Sequence, residues 1–499
     1  MGSGIFLGID HGGTTTTTLV LDIDKGKLAS HSVPMPKRMS KVGWVEHDGE
    51  DFLNTSLASA DRALRKAGIT WHDVEGIGFA NQGETSMLWS SETGKTIGPA
   101  ISWEDKRTQE ICNVLEDKGV DKLVRERTGI LLDPYFSASK FRWLLDNARS
   151  QGNEMATEKL CLGGTETYVI NRLTGGAVHA TDAGTASRTA LQNLYDAKWD
   201  DDLLEAFGLR KSQLPEIRPT CGDFGLAKHA SFNGASIPIT ADAVDCHAAL
   251  FAQGCRDNTV AKATYGTGAF IEVNTGPTLT KPDGLLPVFI AWDLDGKIDY
   301  TLEGGVFSVG SAIDWAVRSG WLPSAEASGE LAQSVPDNGG IMMVPAFAGL
   351  SAPHWKPLVR ASVTGLGLDT EPGHIARALL DGIAFQCADI VCAIGDRTGG
   401  MLTQLRADGG PTKNHYLMQR QADLLNMPVS VSLEPDMTAL GVAYLAAIGG
   451  GQMTIDDVAK IERRTQEFEP EMNADEREIQ WGNWRKNVEF ACKIKVEPQ

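Results

Sequence analysis

The sequence has little basic charge for its size. Its 46 lysine and arginine residues are outnumbered by 65 aspartate and glutamate residues, which gives a formal net charge of -19 at pH 7. A field of this sign repels nucleic acids and anionic lipid headgroups. We therefore expect no nucleic-acid partner and no membrane partner, and any anionic ligand must be held by local hydrogen-bond donors.

Cysteine pairs with metal-ligand spacing are also missing. The eight cysteines are scattered without a CxxC pair, so neither a zinc site nor a disulfide framework is indicated. The first residues lack the basic and apolar regions of a secretory signal, and no apolar run reaches the roughly eighteen residues that a membrane span needs. These absences predict a cytoplasmic protein with reduced thiols.

The familiar nucleotide-binding fingerprints are absent as well. Gly94, Lys95 and Thr96 resemble the end of a P-loop, but Trp89 stands where its first glycine should be. We therefore predict a hairpin turn there. No GxGxxG follows a predicted strand either, so a nucleotide would have to be bound by another device.

What the sequence does contain is an α/β pattern. With 499 residues, 54 of them glycine, it is long enough for two or three domains with many tight turns. Hydrophobic periodicity predicts a helix over 51–66, strands over 77–79 and 87–89, and amphipathic segments over 104–118 and 137–148. Such alternation is typical of a mixed sheet surrounded by helices.

The opening pattern occurs twice. Strand, glycine turn and strand are predicted from residue 5 to residue 22, and again from 260 to 273. We therefore predict two similar halves, with domains at 1–253 and 254–499. In the second half, periodicity predicts helices over 309–317, 374–394, 414–425 and 439–448, and the acidic segment 467–478 is expected to be a solvated helix and loop.

Three glycine turns could hold phosphate groups. They are Asp10-His-Gly-Gly-Thr14, Tyr265-Gly-Thr-Gly268 and Asp408-Gly-Gly410. Glycine lets backbone N–H groups approach phosphate oxygens, and threonine adds a hydroxyl donor. Each turn alone also fits a hairpin or a strand-to-helix connection, but their combination favours a phosphate site.

Two carboxylates and a set of aromatic residues are further candidates. Asp245 lies where a loop becomes a helix, so it could cap that helix or act as a general base, while Asp10 could help to hold magnesium. Trp103, Tyr135 and Phe270 could form an apolar wall, with Glu84 accepting hydrogen bonds from hydroxyl groups. Isolated aromatic residues are more often core residues, so both interpretations stay open.

Two long segments carry a family resemblance. Residues 135–147 fit the first signature of the FGGY carbohydrate kinases, and 361–366 followed by 374–381 fit the second. Segments 43–48, 263–268, 344–347 and 408–410 are similar to those of glycerol kinases. The resemblance covers nearly the whole chain.

The resemblance implies two actin-like (ribonuclease H-like) domains flanking a cleft, with mixed sheets and surrounding helices. A polyol would bind to the N-terminal domain and ATP to the C-terminal domain, with Mg2+ near Asp10 and Asp245, and Asp245 would be the catalytic base. The residues that it places at the polyol are Gly83, Glu84, Trp103, Tyr135, Asp245, Cys246 and Phe270. Those that it places at ATP are Gly13, Thr14, Thr15, Gly266, Thr267, Gly310, Gly410, Pro411 and Asn414.

Two positions depart from the glycerol kinase pattern. Gly83 stands where those enzymes carry arginine, and Cys246 where they carry glutamine, so a buried donor to the substrate is expected to be missing. Sites built to pair a hydroxyl discriminate by roughly 10⁴ or more, so these losses should change specificity. We expect a four-carbon polyol such as erythritol or threitol; a ketopentose or other sugar kinase, and a non-catalytic actin-like regulator, are the alternatives. The phosphorylated carbon, the stereochemistry and a homo-oligomeric state stay open.

Overall fold

A computed structural model describes residues 4–152 and 159–494. The first half contains strands β1 (Ile5–His11), β2 (Thr15–Asp22), β3 (Gly26–Pro34), β4 (Glu46–His47), β5 (Val74–Asn81), β6 (Met87–Ser90), β7 (Ala100–Ile101), β8 (Leu160–Gly163), β9 (Ala180–Asp182), β10 (Gln192–Asn193), β11 (Lys198–Trp199), β12 (Glu216–Arg218), β13 (Leu226–Lys228) and β14 (Ser236–Val244). Its helices are α1 (Gly49–Ala67), α2 (Gln109–Glu116), α3 (Val120–Thr128), α4 (Ser137–Ser150), α5 (Thr165–Leu173), α6 (Ala183–Ser187), α7 (Asp201–Phe207) and α8 (Asp245–Ala252).

The second half contains strands β15 (Val260–Tyr265), β16 (Ala269–Gly276), β17 (Val288–Leu294), β18 (Lys297–Val306), β19 (Met342–Val344), β20 (Ser362–Thr364), β21 (Gln404–Asp408), β22 (Val429–Ser432) and β23 (Thr465–Phe468). Its helices are α9 (Gly310–Arg318), α10 (Ala327–Gln333), α11 (Pro372–Arg397), α12 (His415–Leu425), α13 (Met437–Gly449), α14 (Ile455–Lys460) and α15 (Ala474–Lys493).

The two halves share one sheet topology. The first sheet has the order β13-β14-β5-β1-β2-β3 and the second β17-β18-β16-β15-β21-β22-β23. In each, three antiparallel strands (β1 to β3; β15, β16 and β18) are followed by two parallel ones (β5 and β14; β21 and β22). An antiparallel edge strand, β13 or β23, completes the series. The repeat predicted from the two opening patterns is therefore present in the strand order, with β17 added to the second sheet.

Helix α13 connects the halves by packing on the first sheet. An added Cβ at Gly8 of β1 would lie 1.9 Å from the carbonyl oxygen of Ala439, so only glycine allows this approach. An added Cβ at Gly441 of α13 would likewise lie 1.9 Å from the carbonyl oxygen of Ala248 on α8. Lys27 also donates to Asp436, just before α13, over 2.9 Å. The two halves thus share a buried seam behind the ends of β1 and α8.

Most predicted elements are present, and two predictions need correction. The helix expected over 51–66 is α1, which starts earlier because Asp48 accepts a hydrogen bond from Glu50 N, and ends at Gly68 with φ 71°. The turn at Gly94 is a hairpin turn, with Gly94 N donating to Ser90 O over 2.8 Å. The amphipathic segment 104–118 is helical only from Gln109, and the acidic segment 467–478 begins in β23, whose pairing with β22 was not foreseen.

By length and composition alone, one helix could cross a membrane, although Asp381 and Asp389 interrupt its run of apolar residues. In the described residues, α11 passes that test, with a mean hydropathy of 1.6 over its best window. However, 83% of that window is buried inside the protein. Its apolar character is explained by packing against α10, α12 and β19 in the second core.

Candidate active site

The carboxyl ends of three parallel strands place polar side chains side by side. Strands β1, β5 and β14 are neighbours in the first sheet and run in one direction. Asp10 lies near the end of β1, Glu84 follows β5 by a short turn, and Asp245 is the first residue of α8, directly after β14. This edge of the sheet faces the second half of the chain, as expected for a ligand site in an α/β protein.

Asp10 and Asp245 form an acidic pair whose negative charges are only partly offset by neighbouring groups. The Oδ1 atom of Asp10 is buried and has no hydrogen-bond partner. Burial first, and then the charges of Asp245 and Asp436, raise the pKa of Asp10 well above its usual value. Burial also raises the pKa of Asp245, although Arg188 and the Cys246 N–H oppose that shift. Hard carboxylate oxygens held together in this way suit Mg2+, whose charge would relieve the repulsion.

Three aromatic side chains come together beside these carboxylates. The ring of Trp103 lies 5.8 Å from that of Tyr135 and 6.2 Å from that of Phe270, both nearly edge to face. All three side chains are half-buried, so they line a cleft instead of filling a core. An added Cβ at Gly13 would lie 3.8 Å from Trp103 Nε1, so the first glycine turn adjoins this wall.

The carboxylate of Glu84 is held by a buried arginine that sequence analysis missed. Arg188 Nη1 donates to Glu84 Oε1 over 2.9 Å, and their side chains are 2% and 5% exposed. Burial raises the pKa of Glu84 despite this pair. Arg188 thus places a guanidinium next to Glu84, although residue 83 carries none. Its sequence signal is a lone charge in the otherwise uncharged stretch 183–195.

The position of Arg188 follows from helix α6. Asp182 caps this helix by accepting from Thr185 N over 2.7 Å, and Arg188 follows its last turn. Asn81, at the end of β5, donates to Thr185 Oγ1 over 2.9 Å and thereby ties α6 to the Glu84 turn. An added Cβ at Gly83, where φ is +44°, would lie only 2.8 Å from Arg188 Cδ. The absent side chain at position 83 thus makes room for Arg188.

Arg188 also reaches the second half of the chain. Both Nη atoms donate to Glu303 of β18, and Nη2 donates to Cys246 Sγ over 2.9 Å. Glu272 of β16 lies 3.6 Å from Nη2 and 3.6 Å from Lys262 Nζ. Burial raises the pKa of Glu303, whereas Lys262, His247 and Arg188 overcome burial and lower the pKa of Glu272. This cluster of two cations and two glutamates forms the floor beneath Glu84.

The glycine turns of the second half converge on the N-terminus of α9. Gly310 N donates to Gly266 O over 3.0 Å, and Val309 N to Thr267 O over 2.9 Å. An added Cβ at Gly310 would lie 2.7 Å from Gly266 O, which explains the glycine there. Both Gly266 and Thr267 are exposed to solvent; Gly266 N already donates to Gly268 O over 2.7 Å, so Thr267 is the one whose donors could meet a ligand.

The third glycine turn lies next to the second. An added Cβ at Gly409, where φ is +100°, would lie 1.9 Å from Tyr265 O, so the two turns touch. The exposed Gly410 has nothing within 4 Å of an added Cβ, and it begins the short turn Gly410–Lys413, which contains Pro411 and leads to α12. Asn414 caps α12 by accepting from Leu417 N over 3.1 Å and donates to Ser328 over 3.0 Å. In the first half, Thr14 is exposed and Thr15 is half-buried at the start of β2.

The FGGY family profiles match both halves of the chain. The N-terminal domain of the FGGY family of carbohydrate kinases matches residues 5–252, and its C-terminal domain matches 261–450. The chain belongs to this family. It is an ATP-dependent carbohydrate kinase of the glycerol kinase type, and FGGY kinases use ATP with Mg2+. The acidic pair described above fits that requirement.

Several relatives are similar over nearly their full length. A glycerol kinase of Thermus brockianus is 39% identical, covering 97% of this chain and 98% of that protein. A glycerol kinase of Citrifermentans bemidjiense is 40% identical with the same coverage. The crystal structure of Plasmodium falciparum glycerol kinase with ADP superposes with a TM-score of 0.92 at 32% identity, covering 99% of both chains. A xylulose kinase of Lactobacillus acidophilus has a TM-score of 0.86 at 22% identity and shares the fold, with 97% of each chain covered.

Proposed function

We propose that this FGGY kinase phosphorylates a primary hydroxyl of a small polyol, and that its preferred substrate has four carbons, as erythritol or threitol does. The observation that carries the proposal is the pairing of Glu84 with Arg188 beside a half-buried aromatic wall and Asp245. An apolar wall suits the carbon face of a polyol, and a buried carboxylate suits its hydroxyls. The relatives named glycerol kinase support a polyol as the substrate class.

Asp245 is the proposed general base. Its pKa is raised by burial, which brings a carboxylate closer to the operating range of a base near neutral pH. As the substrate oxygen forms a bond to the terminal phosphorus of ATP, the bond from that phosphorus to the ADP oxygen breaks. The hydroxyl proton passes to an oxygen of Asp245, and the products are a phosphomonoester and ADP.

The acidic pair and the glycine turns have separate proposed roles. Asp10 and Asp245 would hold Mg2+, which when bound neutralises charge on the transferred phosphoryl group. The nucleotide would lie against Gly13, Thr14 and Thr15 on one side. On the other side it would contact Gly266, Thr267, Gly310, Gly410, Pro411 and Asn414, of which Gly266, Thr267 and Gly410 are exposed to solvent.

The four-carbon preference rests on the size of Cys246. A thiol is shorter than the glutamine of the glycerol kinase pattern and is a weak hydrogen-bond acceptor. Cys246 is half-buried and follows the proposed base directly. The space beside Asp245 therefore admits a longer carbon chain.

A substrate panel tests the proposal. ADP formation with Mg2+ is measured with glycerol, erythritol, threitol, pentitols and a ketopentose. We expect the highest kcat/KM with a tetritol and measurable turnover of glycerol. Turnover of the ketopentose alone would replace the polyol with a sugar, and no turnover of any polyol would contradict the proposal.

A further inference from the structure

One nitrogen of Arg188 lies at the centre of a buried cluster. Its Nη2 is within 2.9 Å of Cys246 Sγ, 3.3 Å of His247 Nε2 and 3.6 Å of Glu272 Oε1, and it donates to Glu303. The ligand atoms of these four residues lie within 4.8 Å of one another, an arrangement that could hold a metal ion. However, the guanidinium already supplies the cation at this point, so a metal ion would have to displace it. The cluster is built around Arg188.

Arg188 has a donor to spare beside Gly83. Its Nε is buried and has no hydrogen-bond partner, although the residue is only 2% exposed. An added Cβ at Gly83 would have Arg188 Cδ at 2.8 Å and Nε at 3.7 Å among its nearest atoms. A buried donor without a partner costs about 1–3 kcal/mol. A ligand hydroxyl that accepts a hydrogen bond from Nε would remove that cost.

A ligand oxygen can easily replace the Cys246 sulfur as the acceptor of the hydrogen bond from Arg188 Nη2. Burial raises the pKa of the Cys246 thiol well above its usual value, with Arg188 opposing the shift, so the sulfur stays a neutral and weak acceptor. A hydroxyl oxygen is a better acceptor for a guanidinium N–H. The thiol therefore leaves Nη2 available to a ligand that reaches it.

The geometry points to Arg188 as the specificity-determining residue of the polyol pocket, with Cys246 setting the length of chain that it can bind. This inference rests on the proposed function. Arg188 fixes Glu84 through Nη1 and offers Nε and Nη2 to a hydroxyl at the far end of the substrate. The guanidinium thus comes from the end of α6 instead of from residue 83.

Two substitutions test this inference. Arg188→Lys keeps the positive charge but removes the Nε donor and the paired Nη atoms. Cys246→Gln fills the space and gives Nη2 a strong amide acceptor. Cys161→Ser, at a thiol that is 7% exposed in β8 and outside the cluster, is the matched control. For each variant, KM for glycerol and for the tetritols, KM for ATP, kcat and the midpoint of thermal unfolding are measured.

We expect both substitutions to raise the polyol KM about tenfold or more, which is the effect of losing a hydrogen bond to a charged group. KM for ATP and kcat should change by less than about threefold. Cys246→Gln should also lower the tetritol-to-glycerol ratio of kcat/KM about tenfold. A merely structural role would lower the unfolding midpoint and leave the polyol KM unchanged, and that result would overturn the inference. If Arg188→Lys does not fold, the ratio measured for Cys246→Gln decides.

The two proposals fail differently. If the wild-type enzyme phosphorylates glycerol but no tetritol, the four-carbon proposal fails, and the glycerol KM of the two variants still decides the role of Arg188. If tetritols are substrates and the variants keep wild-type KM values and ratios, only the inference about Arg188 fails.

Discussion

The side chain of Arg188 occupies the space that a side chain at Gly83 would need, with Arg188 Cδ only 2.8 Å from the position of an added Cβ. The two residues are 105 positions apart in the sequence, and the absence of one side chain permits the other. An arginine introduced at position 83 would therefore meet Arg188.

Gly83→Ala should destabilise the protein by about 1–3 kcal/mol, because φ is +44° and the new Cβ meets Arg188. Gly26→Ala is the matched control, since its φ is +80° but nothing lies within 4 Å of an added Cβ. Urea unfolding and the polyol KM are measured for both. A higher KM in Gly83→Ala only is expected; equal effects of the two substitutions would show that Arg188 is not displaced.

Asp245→Asn should lower kcat by about 10²–10⁴-fold while keeping or raising the midpoint of thermal unfolding without ligands. The reason is that burial raises the pKa of Asp245, so its ionised form costs stability at neutral pH, and a neutral amide removes that cost.

Asp22→Asn is the control, because this substitution should change stability in the opposite direction. Hydrogen bonds from Lys25 and the backbone outweigh burial and lower the pKa of Asp22, so its ionised form stabilises the fold at neutral pH. This substitution should lower the unfolding midpoint and leave kcat unchanged. Wild-type turnover by Asp245→Asn would remove the proposed base.

The rate of turnover should fall on acidification at a pH above the usual aspartate range. Asp245 must be deprotonated to accept the hydroxyl proton, and burial shifts its pKa upward. Because the pKa of Asp10 is also raised, protonation of this carboxylate on acidification should weaken metal binding as well. A pH profile of kcat/KM at saturating Mg2+ checks this, and a flat profile down to pH 4 would contradict it, since both carboxylates have an ordinary pKa near 3.8.

Trp103→Ala should raise the polyol KM about tenfold or more, because the indole contacts both Tyr135 and Phe270 in the cleft wall. Trp143→Ala is the control: Trp143 packs on Trp44 at 5.6 Å and on Arg107 at 4.8 Å. It should lower stability and leave the polyol KM unchanged. Equal KM values for the two variants would place Trp103 outside the pocket.

Gly410→Ala should raise KM for ATP without lowering stability, because nothing lies within 4 Å of an added Cβ in the absence of a ligand. Gly310→Ala should lower both ATP affinity and stability, since its Cβ would lie 2.7 Å from Gly266 O. Nucleotide titration and thermal unfolding separate the two effects. Unchanged ATP affinity in Gly410→Ala would show that this turn does not contact the nucleotide.

Local patterns predicted much of this structure. The strand-turn-strand pattern at residues 5 and 260 indicated the repeated halves because each lies within about twenty consecutive residues. The long helix α11 was predicted from its periodicity almost to its ends, whereas β23 was missed because its pairing with β22 is a tertiary effect that four residues cannot signal.

Local sequence patterns predicted only part of the candidate site. Asp10 was identifiable because it lies at the end of a predicted strand, and Asp245 because it lies where a loop was predicted to become a helix. Arg188, Glu272 and Glu303 come from three separate elements, and no spacing in the sequence relates them to Glu84. In the sequence, Gly83 suggested that a donor was missing. The residue that occupies the space beside it, Arg188, lies far along the chain, so no local pattern relates the two.

The most direct test is a competition between substrates. The wild-type enzyme is given equal concentrations of glycerol and erythritol, or glycerol and threitol, with limiting ATP and Mg2+, and the phosphomonoesters are quantified by ³¹P NMR. We predict that a tetritol phosphate is the main product in at least one mixture and that its formation matches the release of ADP. Glycerol phosphate as the main product in both mixtures would contradict the four-carbon preference, and ADP release without any phosphomonoester would contradict polyol phosphorylation.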